Sequence, residues 1–211
     1  MAFADVLALG AFQDLLPVSS ITFECPRQMA TMTLGDGEVL GSEVADQRWR
    51  GTITLAADEH ADMEAAIALI NSMTRASQKF RLTPPQIAAA QNELADAQLL
   101  STSAPNLAAL SLLSPNEEIP RGHYFCIEDN SVSPQRYFLH RYSEALTADG
   151  VGQTVEGEIE PPLDPAISAG ATLRRDRPVL NAKIMPNSFR GALHVPVTSQ
   201  GVSFDWVQTL R

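Results

Sequence analysis

Between Gln47 and Met73 the sequence changes its period once, and that change constrains everything around it. Trp49, Gly51, Ile53 and Leu55 alternate with Arg48, Arg50, Thr52 and Thr54, the period of two expected of a strand with one face against a core. From Asp58 onward the period lengthens: Met63, Ala66, Ile67, Ile70 and Met73 recur at helical spacing, with Asp58 placed to cap the first turn. A strand that feeds an amphipathic helix buries both apolar faces only if the helix packs back on the sheet. Trp49, Ile53, Leu55, Met63, Ile67 and Ile70 are therefore core candidates. Phe204 and Trp206, in the returning segment Val202 to Val207, are expected to join them, so contact between residues 49–55 and 202–207 is required.

The rest of the chain reads as short strands. Ile21 to Cys25 and Met29 to Leu34 are strand candidates, with Gly35-Asp36-Gly37 as the turn into Glu38 to Leu40. Residues 3–16 mix their periods and fit either a short helix or an arm. Thr83-Pro84-Pro85 reads as a second helix start, with Ile87, Ala90, Leu94 and Ala97 near helical spacing. The alanines of that segment give it little packing area, so Ile87 and Leu94 are candidates for a subunit interface. Ala108 to Leu113, Tyr124 to Ile127, Arg136 to Tyr142, Gln153 to Ile159 and Ala171 to Arg175 follow as strands separated by Gly, Pro, Asp and Asn, the rhythm of a small barrel. His194 to Val197 and Val202 to Val207 close the chain around a turn at Thr198 to Gly201. The expected fold is mainly β with two modest helices (α+β). Residues 1–106 and 181–211 form an antiparallel core, and residues 107–180 an inserted β-barrel-like domain.

Charge and motif narrow the function classes. Formal charge is -10 over 211 residues, a surface that repels phosphate backbones, so a sequence-independent grip on nucleic acid is not expected. No basic, apolar, small-residue leader opens the sequence and no apolar run is long enough to span a bilayer, so no membrane partner is expected. Cys25 and Cys126 are too far apart for a CxxC motif and read as buried thiols. His60, His123, His140 and His194 have no mutual metal-ligand spacing. Glu128-Asp129-Asn130 lacks the spaced oxygen series of a calcium loop and reads as a turn between strands. No serine stands in G-x-S-x-G, and neither Gly35-Asp36-Gly37 nor Gly150-Val151-Gly152 has the context of a nucleotide-binding loop. No catalytic residue, metal or cofactor is expected. Tyr124, Phe125, Tyr137, Phe138 and Tyr142 suit either a strand core or a sugar-stacking surface. Glu156, Glu158 and Glu160 alternate with Val155, Gly157 and Ile159. Such a row is a solvated face or matches the basic row Arg174, Arg175 and Arg177, within the chain or across a subunit interface.

Four motifs in order resemble the distal tail proteins of long-tailed bacteriophages and gene transfer agents. They are W-R-G-T-I-T-L at 49–55, I-P-R-G-H-Y-F-C-I at 119–127, I-E-P-P-L-D-P-A-I at 159–167 and G-V-S-F-D-W-V at 201–207. Residues 1–19 have no counterpart, and residues 80–106 depart from the family's pattern. The resemblance implies a virion protein of the tail tip, made in the host cytoplasm. It would be a homo-hexameric adaptor between tail tube protein and baseplate hub protein, with DNA passing through its lumen without specific binding. It implies no catalytic residue. A tail-associated carbohydrate-binding module and a cell-wall hydrolase are the competing classes.

Overall fold

The computed structural model describes residues 6–45, 47–75, 77–84, 95–129 and 135–210. Its class is as the sequence implies: mainly antiparallel β, with a closed barrel. The larger sheet has six strands in the order β1 (Val6–Leu7), β7 (Lys79–Leu82), β16 (Leu180–Ile184), β19 (Ser203–Gln208), β5 (Arg50–Leu55) and β2 (Val18–Ile21). All pairs are antiparallel except β1 with β7. The alternating strand WRGTITL thus lies beside the returning segment, with Ile53 opposite Phe204 and Gly51 opposite Trp206. Trp49, Ile53, Leu55, Phe204 and Trp206 are all buried in one cluster with Met63 and Ile70 of α1 (His60–Met73), and half-buried Ile67 packs against it.

Asp58 does not cap this helix. Asp58–Glu59 forms a short strand, β6, and the Asp58 carboxylate instead accepts the Glu59 N–H at 2.9 Å. β6 pairs with β18 (Thr198–Gln200), which also pairs with β17 (Leu193–His194). The segment read as a turn is therefore a strand, and the chain reverses at Val195, whose N–H reaches the Thr198 carbonyl at 2.9 Å. Residues 9–11 and 13–15 are two turns of 3-10 helix that press Phe12 against Phe80, ring centroids 4.2 Å apart.

The barrel closes through β11 (Tyr124–Asp129), β12 (Arg136–Tyr142), β14 (Gly157–Glu160), β9 (Leu107–Ser111), β8 (Ala97–Ser101) and β15 (Thr172–Arg174). Its first strand lies on the amino-terminal side of the expected 106/107 edge and replaces the distal part of the expected second helix. Ala97 and Leu99 are buried while Gln98 and Leu100 are not, so strand pairing to β9 and β15 overrides the helical preference of an alanine-rich run. The rest of that helix, with Ile87 and Leu94, lies outside the described residues.

Sheet and barrel share a core boundary. Phe125, Ile127, Phe138 and Tyr142 fill the barrel, whereas Tyr124, Cys126, Tyr137 and Leu139 on the opposite faces of β11 and β12 belong to the sheet's core. Strands buried on both sides explain why Tyr124 to Ile127 is a continuous apolar run and not an alternation. Two of the glycines that lack room for a side chain lie in strands. A Cβ at Gly51 would lie 1.8 Å from the Thr22 carbonyl oxygen, where Thr22 Oγ1 accepts the Thr52 N–H at 2.8 Å. One at Gly157 would meet the Leu146 side chain at 2.6 Å. Gly51→Ala forces the backbone of β5 away from that of Thr22, whereas the flexible Leu146 can yield. We expect Gly51→Ala to cost on the order of 3 kcal/mol in urea unfolding and Gly157→Ala less than half of that. Equal costs would contradict this reading of the two contacts.

Candidate functional site

The surface that stands out is a two-stranded ribbon, β3 (Gln28–Thr33) with β4 (Val39–Ala45), turned by Leu34 to Glu38. Asp36 and Gly37 make the turn: the Asp36 carboxylate accepts the Glu38 N–H at 3.0 Å, and Gly37 takes φ 88°. The ribbon belongs to neither main sheet, and among the described residues its strands pair only with each other. From Ala30 to Gly41 every residue is exposed except half-buried Leu34. Met32 and Val39 are each 60% exposed and Leu40 is 46% exposed. A ribbon of this kind offers two rows of unpaired backbone groups together with apolar side chains, which is a template for pairing with another chain. The sequence reading placed the hairpin but gave it no role.

The acidic and basic rows are not partners of each other. Glu156 accepts hydrogen bonds from Ser101 and Ser103, which hold its carboxyl below the usual range. Glu158 is exposed. Glu160 pairs with Arg141 at 2.7 Å. Arg174 faces Glu128 at 3.8 Å, and Arg177 reaches Asp14 at 3.1 Å. Arg175 is 2% exposed and ion-pairs with Glu117 inside the chain, so it cannot contribute to a surface charge match. Its inward position follows from alternation with buried Leu173.

In and beside the barrel, burial and close partners shift several ionisable groups from their ordinary pKa values. His140 is stacked on Phe125 with centroids 5.5 Å apart, and its Nδ1–H donates to the Pro161 carbonyl at 2.8 Å. Its Nε2 then has no partner among the described residues, and burial pushes the imidazole down to about 4. His123 is also pushed down to about 4, first by burial and then by the Arg175 charge, with Glu117 opposing. Burial raises the Glu117 carboxyl, but hydrogen bonds from Arg175 and the Ser114 N–H, together with the Arg175 charge, outweigh this and leave it below the ordinary value. Tyr142 is raised by burial.

Both cysteines are free, and burial pushes each up to about 12, which leaves no appreciable thiolate at neutral pH. Tyr124, Phe125, Tyr137, Phe138 and Tyr142 are all buried, and among the described residues no Phe, Tyr or Trp ring is exposed. Glu128 and Asp129 are part of β11, not of a turn; Asn130 lies outside the described residues. Among the described residues no three His, Cys, Asp or Glu side chains are grouped to hold an ion. No described helix is long and apolar enough to cross a membrane.

One grouping was invisible in the sequence. His60, His194 and Ser199 meet at the start of α1, with Glu64 beside His194. Ser199 is fully buried and both imidazoles engage its hydroxyl, so it presents no face to a carbonyl carbon as an acyl-transfer nucleophile would. No model of a known protein family matches this chain, and no curated protein matches it.

Proposed function

We propose that this chain is a structural virion protein of a phage tail tip, a ring-forming adaptor that joins tail tube to baseplate hub around the DNA channel. The observation that carries the reading is the β3–β4 ribbon, whose exposed edges and apolar side chains call for an occupant. That occupant is a second copy of this chain. In a closed ring one surface of each subunit meets a different surface of its neighbour, so every ribbon edge is satisfied and none is left to aggregate. The resemblance to distal tail proteins supports the role and supplies the expectation of six subunits. Two of its motifs, at 49–55 and 201–207, are carried by adjacent strands of one sheet. The charge of -10 suits a channel that DNA crosses without adhering.

The role proposed is non-catalytic and takes no cofactor. Burial of the barrel's aromatic rings weighs against the carbohydrate-binding alternative, which needs an exposed stacking face. Met32→Asp combined with Val39→Asp tests the ribbon. Both positions are exposed, so the variant should remain folded with a stability change of about 0.5 kcal/mol or less, yet lose assembly in a light-scattering mass measurement. A variant that assembles as well as the parent would remove the ribbon from the interface.

A further inference from the structure

Nearly all of the chain's net charge lies in two segments that the barrel brings together. Residues 95–120 and 143–173 hold nine acidic side chains and no Lys, Arg or His, and so supply nine of the ten net negative charges. They contribute β8, β9 and β14, which are neighbours in the barrel. β11 and β12 press their outer faces on the core of the six-stranded sheet. β9 lies three strands round the barrel from β11, and β8 three from β12, so β8 and β9 form the wall that faces away from the sheet. Exposed aliphatic side chains stand on this negative surface: Leu112 is 62% exposed, Val151 75% and Val155 74%. Hydrogen bonds set their segments side by side, the Leu113 N–H donating to the Gly152 carbonyl at 3.1 Å and the Thr154 N–H to the Leu110 carbonyl at 3.0 Å. Leu112 also takes φ 63°, left-handed backbone that a bulky side chain adopts at a cost. A leucine so placed costs the free chain stability in both backbone and solvation, and a partner that covers it recovers the second.

We propose that this wall docks a basic polypeptide segment, one that sets lysine or arginine side chains around aliphatic ones. Leu112, Val151 and Val155 supply the apolar contact. The acidic surround, with Asp149, Glu156 and Glu158 nearest to them in sequence, draws and orients the cations. A second copy of this chain does not fit the wall. Outside the two segments the chain carries 16 acidic and 15 basic side chains, so a copy brings no surplus of positive charge, and its own wall would be repelled. Phosphate-bearing ligands are disfavoured by the same field. The surface is also distinct from the β3–β4 ribbon, which belongs to neither barrel nor main sheet.

The test is fluorescence anisotropy with a labelled peptide of alternating lysine and leucine, with circular dichroism confirming the fold of each variant. The parent should bind it saturably, one peptide per chain. Replacing the peptide's leucines by serine, or its lysines by glutamate, should each weaken binding about ten-fold or more, as should Val151→Ser combined with Val155→Ser. Leu112→Gly should also bind more weakly while its urea midpoint rises, since glycine takes that φ without strain; loss of a merely structural residue would lower both. Met32→Asp with Val39→Asp should bind as the parent does, which separates this surface from the ring. Absence of saturable binding in the parent, or binding undiminished when both valines are replaced, would overturn the proposal. Self-association of the parent that the same double replacement abolishes would also overturn it, because the occupant would then be a second copy.

Discussion

Replacing Trp49 with alanine should destabilise the protein by about 4 kcal/mol, the upper range for loss of a buried aromatic side chain. Trp49 is fully buried where sheet and barrel meet, and its indole N–H donates to the Leu139 carbonyl of β12 at 2.7 Å. Its own backbone is tied to Gln208, whose N–H reaches the Trp49 carbonyl at 2.8 Å and whose Oε1 accepts the Trp49 N–H at 3.2 Å. The ring packs against Tyr124 at 5.5 Å and Phe23 at 6.4 Å, and the Arg141 guanidinium lies 5.5 Å from its centroid. Alanine keeps the backbone bonds to Gln208, removes the ring contacts and leaves the Leu139 carbonyl buried without its indole donor. Trp49→Phe separates the two losses: most apolar area stays, so the residual cost of about 1–3 kcal/mol reports the unpaired carbonyl. Urea midpoints of both variants provide the measurement. A cost below about 1 kcal/mol for alanine would mean that Trp49 does not hold the two parts together.

The second large effect is acid lability that begins well above the carboxylate range. His140 and His123 each fall from an ordinary 6.5 to about 4 in the folded chain. Between those values the unfolded chain binds protons that the folded chain excludes, so stability is full above 6.5 and declines as pH falls toward 4. For His140 alone the loss amounts to about 3 kcal/mol. Glu117, held low by Arg175, adds its own loss only below its ordinary 4.5. Overall charge works in the opposite sense, because self-repulsion fades as the net charge of -10 is titrated toward the pI of about 4.8. Falling stability between pH 6.5 and 5 therefore isolates the buried imidazoles. His140→Phe keeps a ring against Phe125 and should flatten that part of the pH profile. Parallel slopes in parent and variant would count against His140 as a source.

Much of this fold was legible because its strands carry simple patterns. Ile53 and Leu55 alternate with threonines, and the helix from His60 to Met73 has one buried stripe. What escaped did so for physical reasons. Ala97 to Ser101 has a period-two pattern, but alanine and glutamine carry it in a run that favours helix, and only pairing with β9 and β15 makes it a strand. Arg175 looked like one of three outward cations, yet strand alternation turns it inward beside Leu173, where Glu117 neutralises it. The pairing of His60 with His194 has no local signature at all, because sheet topology alone brings β18 to the start of α1. The hairpin at Gly35 to Gly37 was readable as a turn. Its standing apart from both cores was not, since nothing in a short alternating segment says which strands will lie beside it.

The central claim is that this chain functions as a ring. The most direct measurement is sedimentation velocity of the purified chain across a wide concentration range, alone and then mixed with tail tube and hub proteins. The expected result is a discrete species of six times the 22.8 kDa chain mass, with no ladder of larger forms because the ring closes. A monomer under every one of these conditions would contradict the account.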